Sequence, residues 1–166
     1  MTRDGQPLTL KLVTYEARPE LPKIAQVVQD QARKVGIDMQ ITKADNIDEY
    51  LPQNDWDLTT YSLLTITRGD GSFFLNSSFG EGAAQNHGKL NDPELLAKLE
   101  KYNTEVDTTA RTTLAKEIAQ YIDTKYYNSY ITAPYETSAS KKTVTGWVTP
   151  GNEFEFQMIT KDLDIS

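Results

Sequence analysis

The chain contains no cysteine. Disulfides, zinc–thiolate centres and thiol nucleophiles are therefore excluded. Histidine is nearly as scarce, with His87 alone in 166 residues. A zinc hydrolase needs several His, Glu or Cys ligands at set spacing, and a catalytic triad needs a base beside its nucleophile. The sequence has neither arrangement, and it has no G-x-S-x-G turn. Phosphate loops of the G-x-G-x-x-G and G-x-x-x-x-G-K-[ST] types are also missing. No apolar run approaches the ~20 residues of a transmembrane helix, and no signal peptide opens the chain. Positive charge is in deficit: 17 Lys and Arg stand against 24 Asp and Glu, a net charge of −7. Nucleic acid and anionic lipid both call for a basic face, so both are disfavoured as partners. An acidic surface that maintains solubility accounts for the charge.

What is present is an ordinary globular composition, 38% hydrophobic and 25% charged, with nine tyrosines and five phenylalanines. The opening Met1-Thr2-Arg3-Asp4-Gly5 reads as an initiator ahead of an internal turn, the start of a segment cut from a longer chain. Leu8, Leu10 and Leu12 alternate with polar residues and predict a strand that runs to Tyr15. Pro19 suits the first position of a helix whose stripe is Leu21, Ile24, Val27, Val28, Ala32 and Val35. Gly36 stands where a left-handed C-terminal cap is wanted, and Ile37, Met39 and Ile41 alternate again. Residues 8–42 thus predict a right-handed strand–helix–strand unit with parallel strands.

Further along, Ile47–Leu51 predicts a short helix ended by Pro52, and residues 58–64 a third strand. Residues 65–71 form a glycine-containing loop, 72–75 a helical turn, and 76–91 a long polar loop. Asp92-Pro93-Glu94 is a helix start, and Asp107 caps a second helix with the stripe Ala110, Leu114, Ile118, Tyr121 and Ile122. The two helices predict a hairpin. Residues 130–135 predict a fourth strand, and the tail through Val144–Val148 and Phe154–Ile159 predicts short strands or extended chain. Tyr126, Tyr127 and Tyr130 are read as structural, closing the hairpin against the sheet.

Carboxylate pairs are the remaining route to catalysis. Asp55 and Asp57 flank Trp56, and Asp45, Asp48 and Glu49 cluster; a solvated turn accounts for the first pair better than acid–base work. Arg68-Gly69-Asp70 matches an adhesion tripeptide and Asn76-Ser77-Ser78 a glycosylation acceptor, but matches this short arise by chance. The expectation is a protein that is not an enzyme.

The order of several short motifs is more specific than any one of them. Asp4-Gly5-Gln6-Pro7-Leu8-Thr9-Leu10-Lys11-Leu12, Lys34-Val35-Gly36-Ile37-Asp38-Met39, Trp56-Asp57-Leu58-Thr59-Thr60-Tyr61-Ser62 and Asn86-His87-Gly88-Lys89-Leu90-Asn91-Asp92-Pro93-Glu94-Leu95 occur in sequence. Thr143–Trp147 and Thr160–Ile165 follow them. This order resembles the second lobe of family 5 extracellular solute-binding proteins, the receptors of peptide and nickel ABC importers. Residues 15–22 and the Arg68–Gly71 loop resemble the nickel or metallophore branch more than the oligopeptide branch.

The resemblance implies an α/β fold, a lobe of the type II periplasmic-binding-protein class with a mixed sheet flanked by helices. Residues 1–166 would be one ligand-binding lobe, with the N-terminal lobe absent. The implied function is extracytoplasmic capture of a nickel or other metal chelate for an ABC importer. An oligopeptide receptor of the same family and a standalone α/β interaction domain are the alternatives. The implied partners are the N-terminal lobe, the ABC permease subunits and a small-molecule ligand. No cofactor is expected beyond a metal chelate as transported ligand. The full-length protein would work in the periplasm or anchored by lipid to the outer face of the membrane.

Candidate ligand contacts follow from the rule that open α/β sheets bind beyond the carboxyl ends of their strands. Arg68, in the loop after the third strand, would grip a carboxylate; an exposed Arg, or one paired with Asp70, is the plainer alternative. Thr65 and Thr67 would offer hydroxyls to ligand oxygens. Tyr61 and Trp56 would line the cleft or pack in the core. His87 is a candidate metal contact, since imidazole suits nickel; a lone surface histidine without a role is the alternative.

Overall fold

The structure, a computed structural model, describes residues 2–3, 6–65, 69–134, 137, 139–148 and 161–165. The chain divides into two compact units. The first comprises Met1–Leu63 and Ala84–Lys89, the second Leu64–Ala83 and Leu90–Ser166.

The first unit is built on a strand–helix–strand core. Its elements are β1 (Thr2–Arg3), β2 (Gln6–Tyr15), α1 (Glu20–Lys34), β3 (Ile37–Ala44), α2 (Ile47–Tyr50) and β4 (Leu58–Thr59). β2 pairs in parallel with β3 from Leu8↔Ile37 to Tyr15↔Ala44, and in parallel with β4 at Leu12↔Leu58 and Val13↔Thr59. The short β1 folds back antiparallel on the start of β2. The sheet is therefore mixed, as expected. Leu12 to Tyr15 are all buried, because β2 is covered on both faces and successive side chains point to opposite ones. Leu12 packs with Ala25, Ala32 and Met39, while Val13 and Tyr15 pack with Leu21, Ala44, Ile47 and Leu51.

Helix α1 starts one residue later than predicted, with Pro19 as its N-cap, and Gly36 takes the left-handed conformation expected (φ +78°). Its buried stripe is Leu21, Ala25 and Ala32; Val27 and Val35 are exposed, contrary to the predicted face. The small Ala25 lets the helix approach the sheet, and the 100° step per residue then turns Val27 outward.

The predicted third strand over 58–64 shortens to Leu58–Thr59. Its partner's length limits it from residue 62 onward, since the register sets Tyr61 opposite Tyr15, the last residue of β2. The Thr60 N–H still donates to the Val13 carbonyl at 2.9 Å, but β2 ends at Tyr15. The Ser62 N–H donates instead to the Tyr15 hydroxyl, at 3.3 Å.

The second unit holds α3 (Ser72–Phe79), α4 (Pro93–Thr104), α5 (Thr108–Thr124), β5 (Val144–Thr145) and β6 (Asp164–Ile165). Asp92 and Asp107 cap α4 and α5 with their carboxylates, and the two helices pack on each other through a short Glu105–Asp107 connection. Leu95, Leu99 and Tyr102 of α4 and Leu114, Ile118 and Ile122 of α5 are buried. The predicted turn at 72–75 is a full helix to Phe79, since Phe74, Leu75 and Phe79 share a buried face that composition alone concealed. β5 and β6 pair antiparallel; Gly146 beside them has φ +68°, and a Cβ there would lie 1.7 Å from the Asp162 carbonyl oxygen. Residues 154–159 lie outside the described residues.

Two expectations fail here. Residues 130–134 form no strand, because a strand exists through its ladder and no described segment pairs with them; Tyr135 lies outside the described residues. Tyr126 closes nothing: it is 91% exposed. It occupies the left-handed position after α5 (φ +57°), where the Tyr126 N–H donates to the Asp123 carbonyl and the Tyr127 N–H to the Ile122 carbonyl. That is a Schellman cap with tyrosine in the place glycine favours. Replacing Tyr126 by glycine should raise stability by about 0.5–1 kcal/mol, since the Cβ penalty disappears and no buried contact is lost. A urea midpoint below the parent value would refute this account of the cap.

Candidate functional site

The approach to the site is held by one lysine. The Lys11 N–H donates to Asp57 Oδ2 at 2.7 Å, the Asp57 N–H donates back to the Lys11 carbonyl at 3.0 Å, and Lys11 Nζ meets Asp55. The carboxylates flanking Trp56 are thus committed to Lys11, as a structural turn requires. Trp56 itself is half-buried against the Val13–Leu51 cluster, and its indole N–H donates to the Leu51 carbonyl at 3.0 Å.

Past β4 the register continues in side chains. The Thr60 hydroxyl donates to the Thr14 hydroxyl at 2.7 Å, and the Tyr61 ring lies 6.0 Å from that of Tyr15. This brings Tyr61 to α2, where its hydroxyl donates to Asp48 Oδ1 at 2.6 Å. Asn46 caps α2 and fixes Asp48 from the main chain, accepting from the Asp48 N–H at 3.1 Å. The Asn46 amide donates in turn to Glu49 Oε1 at 2.7 Å.

His87 completes the cluster. Its ring lies 5.7 Å from that of Tyr61, tilted by 52°. Its side chain is only 11% exposed, and Nε2 lies 3.4 Å from the same Asp48 Oδ1. That contact lacks the alignment of a hydrogen bond, and Nε2 is buried with no hydrogen-bond partner among the described residues. Burial, together with the bond to Asp48 and the charge of Asp48, holds the Tyr61 hydroxyl far above the usual tyrosine range. It stays protonated and acts as a donor. Burial also raises Tyr15, against the opposing effect of the Ser62 N–H on its oxygen.

At the carboxyl ends of β2 and β3 lies an open groove of about 320 Å³, lined by Glu16, Ala17, Lys43, Ala44 and Asp45. Lys43 Nζ donates to Glu16 Oε1 at 2.5 Å and lowers its carboxyl below the usual range, so the two charges offset each other.

In the second unit Thr65 is exposed. Arg68 and Thr67 lie outside the described residues. The carboxylate of Asp70 is engaged by Arg111 Nε at 2.9 Å and by Ser72, whose hydroxyl donates at 2.6 Å and whose N–H donates at 3.0 Å. Ser72 and then Arg111 lower it to about 2.

Of the sequence candidates, the fold joins Tyr61 and His87. It adds Asp48, which the sequence showed only as one member of an acidic cluster. The missed signal was the Asn46 cap, which turns Asp48 out of α2 at a fixed place. No group of three or more His, Cys, Asp or Glu among the described residues could hold a metal ion. No helix among them is long and apolar enough to cross a membrane.

No family model matches the chain. It is 36% identical over 156 residues to the nickel-binding protein NikA of Staphylococcus aureus, a match over 90% of this chain and 32% of that protein. Among solved structures, a nickel ABC transporter protein of Bacillus halodurans is similar at 40% identity and a TM-score of 0.70, over 75% of this chain and 26% of that one. NikA of S. aureus, in complex with Ni(L-His)2, is similar at 38% identity and a TM-score of 0.68, over 71% of this chain and 26% of that one. The chain thus spans about a third of the length of the curated relative it matches.

Proposed function

We propose that this chain, a homologue of the family 5 extracytoplasmic solute-binding proteins, is a single ligand-binding lobe that captures a nickel chelate for an ABC importer. The observation that carries this reading is 36% identity to a nickel-binding protein across 90% of the chain. The local chemistry supports a chelate over a bare ion. A hexa-coordinate cation would need several protein donors, and the described residues offer His87 with Asp48 beside it. A metal that arrives with its own ligands needs only orienting contacts.

The proposed contacts are Arg68 for a chelate carboxylate, Thr65 and Thr67 for its oxygens, and His87 with Tyr61 for the metal side. Trp56 supports Tyr61 through the core cluster in which both pack. The protein is not an enzyme in this reading: a receptor that captures and releases a chelate makes and breaks no covalent bond. Its work is extracytoplasmic, and its partners are a first lobe that completes the cleft and the permease of the importer. Closure of two lobes on a ligand is the motion such a receptor uses.

The test is a titration of the 15N-labelled chain with Ni(II) and two equivalents of L-histidine, and separately with a pool of short peptides. Paramagnetic broadening is expected at His87 and in the 65–71 loop. Shifts in that loop with peptides alone would replace the nickel reading with a peptide one. Silence in both titrations would overturn ligand capture by this lobe.

A further inference from the structure

His87 Nε2 is a buried polar atom whose polar neighbour is a carboxylate oxygen 3.4 Å away. Two tautomers of the neutral ring are available. With the proton on Nδ1, the lone pair of the buried Nε2 would face the lone pairs and charge of Asp48. With the proton on Nε2, the same contact becomes an N–H facing a carboxylate. A small rotation would bring it to the ordinary hydrogen-bond distance of ~2.9 Å.

Asp48 is itself held from two sides before any ligand arrives. The Tyr61 hydroxyl donates to its Oδ1 at 2.6 Å, and Asn46 fixes its backbone through the cap of α2. The Tyr61 ring packs against the imidazole and limits its rotation. We infer that Asp48 is a positioning residue: its carboxylate fixes the proton of His87 on Nε2 and leaves Nδ1 as the lone-pair donor to the ligand. The ligand half of this inference rests on the nickel-chelate reading; the tautomer half does not. Metal-ligating histidines generally depend on such a partner, and its loss costs roughly 10- to 100-fold in metal affinity.

The test exploits the lone histidine, whose ring nitrogens are unambiguous in a chain labelled with 15N-histidine. At about pH 8 the ligand-free protein should give a one-bond 1H–15N peak from Nε2, protected from water exchange. Asp48→Ala should abolish that protection and weaken binding of Ni(II) with two equivalents of L-histidine by roughly 10- to 100-fold. Asp48→Asn keeps the size of the side chain and adds a competing amide donor, so the Nδ1–H fraction should rise. In Tyr61→Phe the protected peak should persist, because the competing donor on Oδ1 is gone. A dominant Nδ1–H in the parent protein, or an Nε2 peak unchanged by both Asp48 variants, would overturn the inference. No chelate binding with the protected Nε2 proton in place would count against the nickel reading and leave the orientation of His87 supported.

Discussion

Replacing Arg111 with methionine should destabilise the second unit by about 2 kcal/mol, read as a lower urea midpoint with an unchanged slope. The guanidinium performs four tasks in one place. Nε donates to Asp70 Oδ2 at 2.9 Å, Nη1 donates to the Tyr102 carbonyl at 2.9 Å and the Glu105 carbonyl at 3.2 Å, and the group stacks 4.2 Å from the centre of the Tyr102 ring. Methionine would fill much of the space and leave the carboxylate and both carbonyls without this donor. The cost falls mainly on the two carbonyls, since Asp70 keeps the Ser72 hydroxyl and N–H and part of its hydration. Arg111→Lys should recover only part of the loss, because an ammonium cannot present the planar fork.

The same site gives a pH signature. Asp70 sits at about 2 in the folded chain against an ordinary value of 3.8. Its folded value is depressed, so its contribution is present above pH ~4 and is lost as pH falls from about 4 toward 2. Arg111→Met should flatten that acid limb without removing it, since Ser72 is the larger cause of the shift. Unaltered stability in the methionine variant would mean that the clamp follows from the packing of α4 and α5 and does not secure it.

The second large effect is expected in the first unit, at the buried hydroxyl pair. Thr14 is fully buried and Thr60 nearly so, with the Thr60 hydroxyl donating to that of Thr14 at 2.7 Å. Thr14→Val should cost about 2 kcal/mol, because the Thr60 proton loses its acceptor in a dry place. Thr60→Val should cost a similar amount by stranding the other oxygen. The double valine variant should return close to the parent, since both polar groups are gone and the shapes are kept. The double-mutant cycle measures the coupling directly. Additive losses in the double variant would show that the pair is hydrated or bonded elsewhere, and that it does not hold the register of β4.

Much of the fold is legible residue by residue. The alternation of Leu8, Leu10 and Leu12, the glycine at position 36 and the Asp92-Pro93 start act within a turn or two of chain, so their signals survive without tertiary context. The errors fall where a partner decides. Val27 and Val35 fit a helical stripe but face solvent, because the sheet meets α1 at Ala25. Residues 60–64 read as strand, yet the register sets Tyr61 opposite Tyr15, the last residue of β2, and leaves 62–64 without a ladder on that strand. Residues 130–134 are as rich in β-formers and find no partner among the described residues.

The candidate site divides in the same way. Sequence alone established an ordinary globular composition, excluded thiol, triad and phosphate-loop chemistry, and singled out His87 and Tyr61, because scarcity and residue type are properties of the chain itself. Only the tertiary structure chose Asp48 from three nearby acids and joined it to residues 13 and 39 positions away. No local rule carries that choice. It follows from the end of β2, the cap at Asn46 and the burial of an imidazole nitrogen, which are set only when the elements pack.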